Sequence, residues 1–100
     1  MRRLPEAVLE LGPRVTYLGL VNCTALEQLP PSLFRRLPAL KRLNLALCRS
    51  LRGPFPDPSE LPAVEGGRFD LYVHDASAAA KAWGRELWAQ SRGALLLRGL

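Results

Sequence analysis

Leucines recur along this chain at a spacing that neither a lone helix nor a lone hairpin explains. In "VTYLGLVNCTALEQLP", residues 15–30, Leu18 and Leu20 alternate with polar or small residues, the two-residue period of a half-buried strand. Twenty-five residues further on, "LKRLNLALCRSLRGP" repeats the arrangement: Leu18 answers to Leu43, Leu20 to Leu45, Cys23 to Cys48 and Leu26 to Leu51. One spacing that fits four positions marks an internal repeat, each unit a strand, a corner and a turn-rich return such as "LPPSLFRRLPAL". Backward by the same period, Leu4, Pro5 and Val8 precede Leu29, Pro30 and Leu33, which places the first residues in a partial unit that has lost its strand. Forward, "GPFPDPSELPAVEGGR" predicts a longer, irregular return. The next strand, "RFDLYVHD", sets Leu71 and Val73 in the places of Leu43 and Leu45 at a spacing of 28, with Ala76 at the cysteine position.

The pattern then changes period. "DASAAAKAWGRELWAQSRG" predicts a helix whose orphan amides Asp75 or Ser77 can cap and which Gly93 can end in a left-handed conformation. Ala80, Trp83, Leu87 and Trp88 fall near one face, so both tryptophans are expected in the core, over the last unit. "ALLLRGL" follows as a short final strand or an apolar tail.

Composition narrows the class. Nearly half the residues are apolar, and nine prolines with eight glycines imply many turns in one small globular domain. The longest aliphatic run, "ALLL", is far below the roughly 20 residues of a membrane span, and Pro5, Glu6 and Glu10 interrupt any signal-peptide core. These features predict a soluble chain in a cytosol-like compartment, with its two cysteines reduced and in no metal-finger spacing. No metal or other cofactor is expected. The net charge of +5 comes from twelve arginines and two lysines scattered in singles and pairs. A nucleic-acid arm concentrates its charge and interleaves stacking aromatics, so nucleic acid is not the expected partner, whereas acidic protein surfaces fit.

A single layer of leucines per unit cannot bury itself, and stacking the units solves this. The arrangement resembles the leucine-rich-repeat family, whose pattern L-x-x-L-x-L-x-x-N/C-x-L is matched by "VTYLGLVNCTAL" and "LKRLNLALCRSL". The trailing "LEQLPPSLFRRLPAL" looks like the cysteine-containing repeats of plant intracellular immune receptors and of bacterial type III effectors. The resemblance implies an α/β fold: a short solenoid with a small parallel sheet, an irregular convex side and a C-terminal capping helix. It implies one domain over 1–100, with 1–14 a partial repeat, 15–39 and 40–68 repeats, and 69–100 a degenerate last repeat with a helical cap. The missing N-terminal cap predicts either the C-terminal part of a longer repeat protein or self-association through that uncapped end.

In such repeats the leucines point inward and the alternate residues face out on the concave sheet, about 4.8 Å from their neighbours. The rows expected are Tyr17, Arg42 and Asp70; Gly19, Asn44 and Tyr72; and Val21, Ala46 and His74. Family members recognise proteins or peptides on this face, so Tyr17, Arg42, Asn44, Asp70, Tyr72 and His74 are the candidate partner-binding residues. The same row also reads as a local arrangement in which Arg42 pairs with Asp70 and stacks on Tyr17. Cys23 and Cys48 are read as one structural position on successive units, free thiols filling a buried corner at the bend after each strand. His74-Asp75 suggests no catalysis, because inward cysteines cannot meet a substrate together with an outward His74. The chain is expected to be an interaction module and not an enzyme. The alternative is the substrate-recognition region of an effector ubiquitin ligase in the host cytoplasm, its catalytic domain outside this chain: "CTA" and "CRS" lack the aspartate that commonly follows the catalytic cysteine of such ligases by two residues. Arg35-Arg36 and Arg49 with Arg52 lie on the returns, where they are solvated edges or a secondary acidic contact.

Overall fold

The structure, a computed structural model, describes residues 2–100. It is an α/β arrangement around one four-stranded parallel sheet: β1 Tyr17–Gly19, β2 Arg42–Asn44, β3 Phe69–Tyr72 and β4 Leu95–Arg98, side by side in sequence order. The apolar alternation explains the pairing. Leu18, Leu43 and Leu71 stand opposite one another, with Leu97 next in the row, and the first three are at most 9 % exposed. Leu20, Leu45 and Val73 form a second buried row, carried beyond the strands by bonds from the Leu20 N–H to the Asn44 carbonyl and from the Leu45 N–H to the Tyr72 carbonyl. Each buried aliphatic side chain contributes about 1.5–3 kcal/mol over leaving it in water.

Each of the first three strands leaves the sheet through the same corner. Asn22, Leu47 and Asp75 are left-handed, with φ of 61°, 64° and 51°, and the next N–H in each case, from Cys23, Cys48 and Ala76, bonds back to the carbonyl of Leu20, Leu45 and Val73. Asn and Asp tolerate this conformation, while Leu47 adopts it at a cost. The returns contain the short helices α1, Glu6–Leu9, and α2, Leu33–Arg36, and a 3-10 turn, Pro58–Glu60, whose Asp57 cap accepts the Ser59 N–H at 2.9 Å. That bond is the main reason the Asp57 carboxyl lies below its ordinary range. A second set of bonds runs up the return side: Glu27 N–H to Arg2 carbonyl, Arg52 N–H to Glu27 carbonyl, and a parallel bridge between Arg3 and Gln28.

The helix α3, Ala78–Ser91, is capped by Ser77, whose hydroxyl accepts the Ala80 N–H at 3.0 Å, and it ends through left-handed Arg92 and Gly93. Ala80, Trp83, Gly84 and Leu87, at the helical spacing i, i+3, i+4, i+7, turn inward. Gly84 allows a close approach to β4: a methyl group there would stand 3.0 Å from a Leu97 methyl. Trp88 departs from the expected core position and is 59 % exposed, because five residues at about 100° each carry it well away from Trp83's side of the helix. Trp83 anchors the return side instead. It stacks on Phe55 at 5.0 Å and on Phe34 at 6.0 Å, Phe34 meets Phe69 edge-on at 5.8 Å, and the indole N–H donates to the Pro56 carbonyl at 2.9 Å. Among the described residues no charged side chain is buried and no helix is long and apolar enough to cross a membrane.

Candidate binding face

The side of the sheet opposite the core carries the chemistry. Strand alternation sends Leu18, Leu43 and Leu71 inward and therefore sends their flanking residues out. Register places Tyr17 beside Arg42, Arg42 beside Asp70 and Asp70 beside Leu96; the next outward row is Gly19, Asn44, Tyr72 and Arg98. Beyond the strands, the Asn22 N–H bonds to the Ala46 carbonyl and the Leu47 N–H to that of His74. Val21, 48 % exposed, and His74 lie at that end.

The side chains interlock. The Arg42 guanidinium lies between two rings, 5.8 Å from the Tyr17 centroid and 5.9 Å from that of Tyr72, and Arg98 covers Tyr72 at 5.4 Å. Asp70 sits below both cations, 3.6 Å from Arg42 and 3.3 Å from Arg98, with its side chain only 16 % exposed. Tyr17 leans along its own strand over Gly19: a Cβ at Gly19 would come within 2.8 Å of the Tyr17 hydroxyl. Asn44 is partly committed, its carboxamide oxygen accepting the Ala46 N–H at 3.0 Å. The His74 ring lies 6.0 Å from that of Tyr72. Gly99, at φ 91°, fits against the His74 backbone, where a Cβ would clash at 2.6 Å.

The structure thus gathers Tyr17, Arg42, Asp70, Tyr72 and His74 on one surface, with Asn44 partly spent on its own strand end. It adds Leu96 and Arg98, which the sequence reading left out because "ALLLRGL" stood between strand and tail. Their signal was the 26-residue step from Asp70 to Leu96 and from Tyr72 to Arg98. Lys41 and Arg68 were also missed. They line a groove of about 350 Å³ at the N-terminal ends of the strands, together with Tyr17, Arg42, Val64 and Asp70.

The cysteines lie away from this face. Cys48 is buried and its thiol donates to the Leu20 carbonyl at 2.8 Å. Burial pushes the Cys48 thiol up, and the neighbouring Cys23 backbone pulls the other way to a lesser degree. Cys23 is free and only half-buried, against the expectation of a buried corner, because no described strand lies beyond β1 to cover its side of the sheet. Exposed His74 and buried Cys48 form no nucleophile–base pair, and no group of three or more possible metal ligands occurs among the described residues. No family model, no curated protein sequence and no solved structure matches the chain.

Proposed function

We propose that this chain is a leucine-rich-repeat interaction module that binds a partner protein through the exposed side of its sheet. The observation that carries the reading is the cation–aromatic array of Tyr17, Arg42, Tyr72 and Arg98 on paired strands, with Tyr17 and the Arg42 side chain each 51 % exposed. Side chains already held by a sheet and by one another lose little conformational entropy when a partner docks. Tyrosine and arginine are the residue types that concentrate binding energy in such contacts. The mechanism is rigid display: Tyr17, Arg42, Tyr72 and Arg98 touch the partner, while Asp70 and Asn44 hold the array. The 25-residue step between matched leucines and the repeated left-handed corners support the repeat reading itself.

The test compares proteins captured by immobilised wild type and by the Tyr17→Ala/Arg42→Ala/Tyr72→Ala variant from an extract of host cells. The triple variant is expected to lose the specifically captured protein while remaining folded, its melting temperature lowered by no more than about 10 °C. Arg35→Glu/Arg36→Glu, on the return side, is expected to retain it. Capture that survives the triple substitution unchanged overturns the reading.

A further inference from the structure

Resting on that reading of the sheet face, we infer that the segment it takes is an acidic peptide, whose carboxylates seat among Lys41, Arg42 and Arg68. The chain's excess charge is not spread evenly. On the return side Glu27 meets both Arg2 and Arg52, Arg36 meets Glu6 and Arg35 meets Glu60. Among the described residues, the paired strands and the groove lining carry Lys41, Arg42, Arg68 and Arg98 with Asp70 as their one carboxylate, a balance of +3 within a chain of +5. Among the described residues neither Lys41 nor Arg68 has a carboxylate partner.

Asp70 does not cancel the surface charge, because it lies at the floor while the two arginines above it stay about half exposed. It engages one nitrogen of each guanidinium, leaving further donors to face outward, where a carboxylate can accept them as charge-assisted hydrogen bonds. The groove of about 350 Å³ has room for a glutamate side chain and its neighbours in an extended segment. Nucleic acid fits less well. Base stacking uses open aromatic faces, and here Arg42 already stands over one face of Tyr17 and both Arg42 and Arg98 stand over Tyr72.

The probe is a fluorescent peptide of about eight residues alternating Glu and Gly, long enough at ~3.3 Å per residue to cross the sheet. Its Gln–Gly counterpart and a thymidine oligonucleotide of equal charge serve as comparisons, all read by anisotropy. The glutamate peptide is expected to bind about tenfold more tightly than the glutamine peptide, and to weaken as salt rises to about 0.5 M. Lys41→Gln/Arg68→Gln is expected to weaken it by about tenfold, and Asp70→Asn to tighten it by about two- to fivefold, which a purely structural role for Asp70 would not do. Arg35→Gln/Arg36→Gln should change nothing. Equal binding of the two peptides overturns the inference, as does equal loss in the return-side variant, or an oligonucleotide that outcompetes the glutamate peptide at Lys41 and Arg68. If the triple alanine variant loses its captured protein while Lys41→Gln/Arg68→Gln keeps it, the acidic ligand is wrong and the binding face stands. If the triple variant captures normally, the face itself is wrong.

Discussion

The two sides of the sheet use similar residues for opposite ends. On the return side, Phe34, Phe55, Phe69 and Trp83 form a continuous aromatic column, and the nearby arginines find carboxylates on other returns. On the exposed side, Tyr17 and Tyr72 have arginines over their rings, with the His74 ring beside Tyr72, and cations outnumber carboxylates. Strand alternation decides which side a residue reaches, and the side decides whether an aromatic ring packs among other rings or stays near the surface beside a cation. The buried side joins this aromatic column to a broad leucine core, so substitutions there are expected to cost more than substitutions on the exposed sheet face.

The largest expected difference tests that division directly. Trp83→Ala removes two ring stacks and the bond to the Pro56 carbonyl from a site 4 % exposed, and is expected to cost about 3–5 kcal/mol in urea unfolding. Tyr72→Ala removes a partly buried ring that packs beside Arg42, Arg98 and His74 on the outer face, and is expected to cost about 1 kcal/mol or less. Equal losses would break the comparison.

A smaller effect follows from Cys48, at the corner between the two sides. Burial raises its folded-state value, and an unfolded cysteine ionises near about 8.5. Below that pH the stabilisation is fully present. Above it the unfolded chain gives up the proton and the folded chain keeps it, so stability falls as pH rises, by up to about 1.4 kcal/mol per unit. Cys48→Ala is expected to remove this part of the slope as pH rises above about 8.5. Identical slopes for variant and wild type would mean that the thiol is open to water in the native state.

Much of this organisation is legible in the chain because leucine at two-residue spacing has one good solution in a sheet with one buried face. That logic placed Leu18, Leu43 and Leu71 side by side, and with them the outward residues Tyr17, Arg42 and Asp70. The helix was legible from Ser77, the alanine run and Gly93. Other features depend on distances that no local pattern encodes. Arg98 joins the face only because β4 closes the sheet beside β3, and Glu27 meets Arg2 and Arg52 only because returns 25 residues apart lie together. Trp88 looked like core because a short alanine-rich helix offers few markers of where its buried face stops. Cys23 matches Cys48 in sequence and differs in burial, since the neighbours beyond each of them differ.

The left-handed corners give the smallest and most local prediction, and they separate the two sides. Asn22 and Leu47 occupy equivalent corners with nearly the same φ, 61° and 64°, yet leucine pays a steric cost there that asparagine largely escapes. Leu47→Asn relieves that cost and is expected to stabilise the protein by about 0.5–1 kcal/mol, less whatever the half-buried leucine loses in packing. Asn22→Leu imposes the cost at an exposed corner with no compensating burial, and is expected to destabilise by a similar amount. Paired thermal melts read both changes against wild type. Opposite signs would show that backbone conformation governs the corner where each strand turns from the exposed face to the return side; two losses would show that packing around Leu47 outweighs it.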